Sequence, residues 1–318
     1  MKRTKIVKSR LHYSDEVGQT GIHKKTNLKN IRMPDAILTS DWHLRETVPV
    51  CRTDDFWEAQ WKKVDFVAEL QQKYNCPVLH AGDLFHHWKP SPHLLSMTME
   101  HLPEKFCTVY GQHDLPQHNL DLSYKSGIHA LLKAGKLNVI GVHWGQQPDL
   151  SRVIRIGNRK VIVWHNFTYV GKDPWPGITS PKAYSLLEKY ERYDLIVTGD
   201  NHQSFSVIRN GMKGNLLVNP GNLTRQTADQ TNYQPKVYLW YAENNLVEVV
   251  DVPIEKNVIS REHIDEKQRK DERIEAFISR LDMDWELSLS FEENLKRFFE
   301  TNDVSESVQN IINKSIEQ

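Results

Sequence analysis

His80-Ala81-Gly82-Asp83-Leu84-Phe85-His86-His87-Trp88-Lys89-Pro90-Ser91 is the stretch whose reading decides the fold. The apolar run before it, Cys76-Pro77-Val78-Leu79, reads as a buried strand, and it leads at once into a glycine followed by a carboxylate. A carboxylate at the C-terminal edge of a strand stands where α/β folds place their chemistry. Most Gly-Asp pairs are turns, so this one carries weight only in company. Four further strand-like runs end on residue types that bind metal. Ile37-Leu38-Thr39-Ser40 precedes Asp41-Trp42-His43, and Phe106-Cys107-Thr108-Val109-Tyr110 precedes Gly111-Gln112-His113-Asp114. Val161-Ile162-Val163-Trp164 precedes His165, and Leu195-Ile196-Val197-Thr198 precedes Gly199-Asp200-Asn201-His202. Convergence of five strand ends on one point requires that the strands share a sheet.

The chain has 318 residues and is 39% hydrophobic, enough for one large domain or two ordinary ones with a full core. No apolar run approaches the length of a membrane span, and the basic start MKRTKIVKSR lacks the apolar stretch of a signal peptide, so a cytoplasmic chain is expected. Cys51, Cys76 and Cys107 have no CxxC spacing, which points to buried free thiols and away from a disulfide framework or zinc cluster. Formal charge is zero, but unevenly spread. Residues 1–35 hold nine Lys/Arg against three Asp/Glu, and residues 255–318 hold ten against sixteen. The first segment is a basic N-terminal arm, either a contact for phosphates or a solvated tail.

The catalytic region expected over 36–254 opens as β-α-β-α-β. Asp54-Asp55 starts a helix with Trp57, Trp61, Val64 and Ala68 on one face, Pro92 to Leu102 and Gly127 to Ala134 give two more, and a parallel sheet follows from the alternation. From Leu137 onward, short strands separated by turn residues predict a second, more antiparallel sheet. The segment Gly171-Lys172-Asp173-Pro174-Trp175-Pro176-Gly177 is too rich in Gly and Pro for regular structure and predicts a lid facing substrate. Two sheets back to back with helices outside is the simplest packing, an α/β class. Residues 255–318 read as charged helices ending in a helical hairpin. Ile274, Phe277, Ile278 and Leu281 form one stripe, and capping boxes are expected at Ser290 with Glu293 and at Asp303 with Glu306.

Hydrolysis of a phosphate ester brings an anionic nucleophile to an anionic substrate, a task suited to two metals about 4 Å apart with one shared carboxylate. The series Asp41-x-His43, Gly82-Asp83, Gly111-Gln112-His113-Asp114, His165 and Gly199-Asp200-x-His202 resembles the calcineurin-like metallophosphoesterases over about residues 36–225. That resemblance implies a four-layer α-β-β-α sandwich of two mixed sheets, here with a helical C-terminal extension. It implies that Asp41, His43, Asp83 and His202 hold one divalent ion and Asp83, Gln112, His165 and Asp200 a second, with Asp83 bridging. His113 would act as the non-ligand histidine beside the leaving oxygen, oriented by Asp114. The family has Asn at Gln112 and His at Asp200; both replacements keep a metal-binding atom and enrich the second site in oxygen, which favours manganese, then magnesium or iron, over zinc.

Within the superfamily, Gly82-Asp83-Leu84-Phe85 with Lys89-Pro90-Ser91, His165-Asn166-Phe167, and Asn219-Pro220-Gly221-Asn222 with Arg225 resemble the SbcD-type DNA repair nucleases. The resemblance implies a manganese-dependent DNA exo- or endonuclease of repair or recombination, with Asn222 and Arg225 at the substrate. Its implied partners are DNA, an SMC-like ATPase subunit docked on the C-terminal hairpin, and a second copy in a homodimer, with no membrane. Two other readings stay open: a phosphatase or phosphodiesterase for a small nucleotide or phosphoprotein, and an inactive metal-binding scaffold.

Overall fold

Alternation of apolar side chains along each strand sorts the molecule into layers. In the computed structural model, which describes residues 33–209, 214–284 and 291–316, the chain forms two compact units, Met1–Ser260 and Arg261–Gln318. The basic arm lies almost wholly outside the described residues. The first unit runs β1 (Ala36–Thr39), α1 (Phe56–Tyr74), β2 (Val78–His80), α2 (Pro92–His101), β3 (Phe106–Thr108), α3 (Gly127–Lys133) and β4 (Asn138–Val139). It continues with β5 (Ile154–Ile156), β6 (Arg159–Trp164), α4 (Ala183–Lys189), β7 (Leu195–Thr198), β8 (Phe205–Ile208), β9 (Leu216–Asn219), β10 (Lys236–Tyr241) and β11 (Leu246–Asp251).

Helix α1 begins where the acidic pair predicts: the Asp55 side chain caps it by accepting from the Glu58 N–H, and Asn75 ends it in the left-handed conformation. Ser91 caps α2 in the same manner, with Pro92 in the first turn.

The strands form a six-stranded sheet of order β11-β10-β1-β2-β3-β4 and a five-stranded sheet of order β5-β6-β7-β9-β8. The five strand ends therefore do not share one sheet. β1, β2 and β3 belong to the first, β6 and β7 to the second, and convergence is achieved because both sheets run their central parallel strands toward the same edge. The second sheet is also less antiparallel than its short strands suggest. Its centre, β6-β7-β9, is parallel, and only the edge strands β5 and β8 are antiparallel. β4 pairs with β3 in the first sheet, and β10 returns to pair antiparallel with β1.

Successive residues alternate between layers, as the two-residue period of a strand demands. Leu38, Leu79, Val109, Val163, Val197 and Val218 fill the space between the sheets. Ile37, Val78 and Phe106 face the other way, onto α1 to α3 with Trp61, Val64 and Leu94, while Ile162, Ile196 and Leu217 face α4. Helix, sheet, sheet and helix make four layers, the α/β sandwich of mixed sheets expected from the motif series. Strands buried on both faces explain the unbroken apolar runs in the sequence.

The boundary to the second unit falls at Ser260, six residues beyond the expected one, because residues 255–260 are tied back. Thr53 N–H donates to the Val258 carbonyl at 3.1 Å and Ser260 N–H to the Cys51 carbonyl at 2.7 Å. The second unit contains α5 (Glu262–Asp284), α6 (Phe291–Thr301) and α7 (Glu306–Ile316). Leu295 and Phe298 of α6 are buried against Phe299, Val304 and Ile312, so the apolar faces of the expected hairpin pack on each other. Of the two capping boxes, Ser290 lies outside the described residues. The one at Asp303 is displaced: α7 starts two residues later than a cap at Asp303 would place it, with the Val308 and Gln309 N–H groups on the Ser305 carbonyl at 2.9 and 3.1 Å. Among the described residues, no helix is long and apolar enough to cross a membrane.

Candidate active site

Each strand end turns sharply into its ligand loop, and the backbone records the cost. Asp41, His43, Asp83 and Asp200 all have positive φ, at 51°, 47°, 57° and 73°, in the left-handed region that L side chains rarely adopt. Such residues cost of order 1–3 kcal/mol each and persist only where the surroundings hold them. The holding bonds are visible. Asp41 N–H donates to the Gly82 carbonyl, His43 N–H to the Asp83 carbonyl and Leu44 N–H to the Leu84 carbonyl, at 2.9–3.0 Å. The first two loops thus continue the β1-β2 ladder beyond the strands. Gly82, at φ 95°, lies so close to the His165 ring that a Cβ would meet it, and a Cβ on Gly111 would meet the Asp83 carboxylate.

All seven residues expected as ligands come together at this edge. His43 Nε2 lies 3.2 Å from His202 Nε2, 3.7 Å from Asp83 Oδ2 and 4.0 Å from Asp41 Oδ1. His165 Nε2 lies 2.6 Å from Gln112 Oε1 and 3.5 Å from Asp83 Oδ2. Asp83 Oδ2 therefore sits between the two histidine groups, the position a bridging ligand needs. Gln112 Nε2 donates to Asp200 Oδ1 at 2.6 Å, and Asp200 N–H donates to Asp41 Oδ1 at 3.0 Å. Asp41, Asp83, His43 and His165 are all at most 4% exposed.

The donor set fits divalent cations. His165 Nδ1 stands 2.6 Å from the Ala81 carbonyl, so Nδ1 carries a proton, and Nε2, 2.6 Å from Gln112 Oε1, is the ring nitrogen turned toward the centre. A ligand histidine that donates its other N–H to a backbone carbonyl is the usual outer-shell arrangement of metal sites. Asp41 Oδ2, fully buried, has no hydrogen-bond partner. The carboxylates attract positive charge: burial alone would lower the His165 imidazole, yet Asp83 holds it up to about 10. Burial raises the Asp41 carboxyl well above its ordinary value and holds His43 well below its own, keeping that imidazole neutral. Ligand atoms of Asp41, His43 and His202, and of Asp41, Asp83 and His165, lie within 4.8 Å of one another.

Beside this centre stands His113. Its N–H donates to Asp83 Oδ1 at 3.0 Å, and Nδ1 lies 3.0 Å from the His86 carbonyl, which accepts a proton from it. Nε2 is then the atom free to exchange a proton. The His113 ring meets His43 edge-on at 4.9 Å and stacks on His86 at 5.6 Å. His86 was not in the expected site, although it follows Gly82-Asp83-Leu84-Phe85 directly. Burial, then Arg45, keep it near pKa 4 and neutral.

Three expected roles change. Asp114 does not orient His113. Its carboxylate, 0% exposed, accepts from the N–H groups of Asp83, Leu84 and Gly111 on Oδ2 at 2.9, 3.3 and 3.0 Å, and of Phe85 on Oδ1 at 3.1 Å. It is the clasp of the ligand loop; burial and Asp83 push it up to about 7, while the N–H groups pull the other way. Arg225 and Asn222 do not face substrate either. Arg225 is 4% exposed and spends its guanidinium on the Thr231 and Glu255 carbonyls, and Asn222 Nδ2 donates to the Thr224 carbonyl. The turn they occupy braces the ligand loops instead. Asn222 N–H donates to the His202 carbonyl and Leu223 N–H to the Asp41 carbonyl, both at 3.3 Å, while Ser40 Oγ donates to the Gly221 carbonyl at 3.0 Å.

The model of the calcineurin-like phosphoesterase superfamily domain matches residues 35–239. Among solved structures, the chain is similar to a metallophosphoesterase of Sphaerobacter thermophilus, at 14% identity and TM-score 0.37, over 69% of this chain and 89% of that one. It is also similar to vacuolar protein sorting 29 of Cryptosporidium parvum, at 17% identity and TM-score 0.34, over 69% of this chain and 98% of that one. No curated protein matches the chain. The strand ends that meet at the carboxylates and histidines all fall within the matched span, and the chain belongs to the calcineurin-like phosphoesterase superfamily.

Proposed function

We propose that the protein is a di-metal phosphodiester hydrolase acting on DNA, of the SbcD type. The observation that carries the hydrolase reading is the cluster of ligand-type side chains where the strand ends of the two sheets meet, with Asp83 Oδ2 3.7 Å from His43 Nε2 and 3.5 Å from His165 Nε2. Asp41, His43, Asp83 and His202 would hold one ion, and Asp83, Gln112, His165 and Asp200 the other. Bound there, the metals supply a polarised phosphoryl oxygen and an activated water. The oxygens of Gln112 and Asp200 favour manganese, with magnesium and iron next. His113, with its Nδ1 proton committed to the His86 carbonyl, gives or takes a proton at Nε2 beside the reacting phosphate.

DNA as substrate rests on the extended second motif, Gly82 to Ser91, and on the isolated His165-Asn166-Phe167. A neutral chain lacks the basic footprint of a nuclease working alone, which a DNA-binding partner would provide. For that partner, an SMC-like ATPase, the α6-α7 hairpin is the docking element, a pair of amphipathic helices around a small core of Leu295 and Phe298. Removing 290–318 is expected to spare hydrolysis of a small chromogenic diester and to abolish co-purification with such an ATPase. Loss of both activities would make the hairpin part of the catalytic fold.

The direct test is hydrolysis of linear duplex DNA, closed circular DNA and a small phosphodiester with manganese, magnesium or chelator, beside His113→Ala. Manganese-dependent release of nucleotides from linear DNA is expected, falling about 10²–10⁴-fold in His113→Ala while the metal content stays. Cleavage of the small diester alone would move the substrate to a small nucleotide or phosphoprotein. Retained metal with no turnover would leave the inactive metal-binding scaffold, and no retained metal would make Gln112 and Asp200 the marks of a lost site.

A further inference from the structure

The loop that leaves His165 carries exposed aromatic surface that the hydrolytic chemistry does not use. Phe167, two residues beyond His165, packs against Trp175 with ring centroids 5.1 Å apart, and Trp175 remains 48% exposed. Two residues of chain reach at most about 7 Å, so the backbone of Phe167 leaves from the same strand end that presents His165.

The loop is not loosely attached. Asn201, which lies between Asp200 and His202, donates from Nδ2 to the Thr168 carbonyl at 2.8 Å. Thr168 Oγ1 donates to the Pro181 carbonyl at 2.8 Å, and Ala183 N–H to the Tyr169 carbonyl at 2.9 Å. Inside these ties, Asp173 accepts from Tyr169 at 3.0 Å and pairs with Lys182 at 3.2 Å. The root of the loop is thus fastened to the same segment that presents Asp200 and His202, while its tip holds an indole against the Phe167 ring with about half of its surface open to water. A tryptophan that served only as packing would be expected to bury more of its surface.

We infer that Trp175, backed by Phe167, is a stacking shelf for a nucleobase of the substrate, next to the phosphate at the metal centre. This rests on the nucleic-acid reading above and names the residue that would recognise the base. Aromatic shelves bind single-stranded nucleic acid without sequence preference, because each base offers a π-face. Lys172, exposed in the same loop, adds charge for the neighbouring phosphate.

The test compares a fluorescein-labelled hexathymidylate with its abasic counterpart, binding to the full chain followed by anisotropy with calcium in place of manganese to slow turnover. The wild-type chain is expected to bind the base-bearing oligomer about tenfold more tightly than the abasic one. Trp175→Ala is expected to erase that preference, Trp175→Phe to retain most of it, and neither to change hydrolysis of a small diester. A preference that survives in Trp175→Ala, or is missing from the wild type, overturns the shelf. Base-dependent binding by a chain that never cleaves DNA would keep the shelf and remove the nuclease, whereas DNA cleavage with no base preference would do the reverse.

Discussion

Asp83→Asn is expected to empty both metal positions and to lower phosphodiester turnover at least about 10³-fold, the rate equivalent of the several kcal/mol that metal ions supply at a phosphoryl oxygen. The substitution preserves shape. What it removes is charge, at the one oxygen placed between the two histidine groups, 3.7 Å from His43 Nε2 and 3.5 Å from His165 Nε2. Asp83 is also what overrides burial to hold the His165 imidazole up to about 10, so its loss takes away the attraction for any cation at that position. The fold is expected to survive, because the remaining acceptor can still take the His113 N–H and because one of the clustered carboxylate charges of Asp41, Asp83, Asp114 and Asp200 is gone. Asp83 itself helps raise the Asp41 carboxyl, which shows that the charges repel. Metal counted by mass spectrometry, beside a urea unfolding curve of the metal-free chain, checks both halves. An unchanged metal count in a folded variant would end the bridging role.

The elements and the ligand cluster were legible because they rest on local signals. An apolar run buried on both faces announces a strand, and its last residues announce the loop that the strand presents. Asp55 and Ser91 cap their helices where composition places them. That there are two sheets was legible; which strand belongs to which was not, since that depends on which runs pair across long stretches of chain: Ala36 sits opposite Trp240, and Val161 beside Leu195. Nor can a motif say which way a side chain faces. Arg225 reads as a substrate arginine until its guanidinium is found on the Thr231 and Glu255 carbonyls. His86, which with His118 stands out among the non-ligand histidines of the sequence, gets no role from it for the converse reason: among 15 histidines nothing local shows that this one stacks on His113.

Asp114 is the sharpest case, because its two readings predict opposite outcomes. As an orienter of His113, Asp114→Ala would copy His113→Ala, losing turnover while keeping metal and stability. As the clasp seen here, it supports four backbone N–H groups of Asp83, Leu84, Phe85 and Gly111 in a place water does not reach. Buried donors left without acceptors cost about 1–3 kcal/mol each. The same bonds hold Asp83 at φ 57°, strain worth a further 1–3 kcal/mol that would relax into a displaced loop. Part of this is recovered as the loop moves, so Asp114→Ala is expected to lower unfolding free energy by about 4 kcal/mol, read as a fall in the urea midpoint at unchanged slope. Metal should go with it, since the loop that shifts is the one carrying the bridging carboxylate. Asp114→Asn should fall between, because the amide keeps one acceptor and turns a donor against the N–H groups. A variant as stable as the wild type, with metal bound and turnover lost, would return Asp114 to the role of orienting His113.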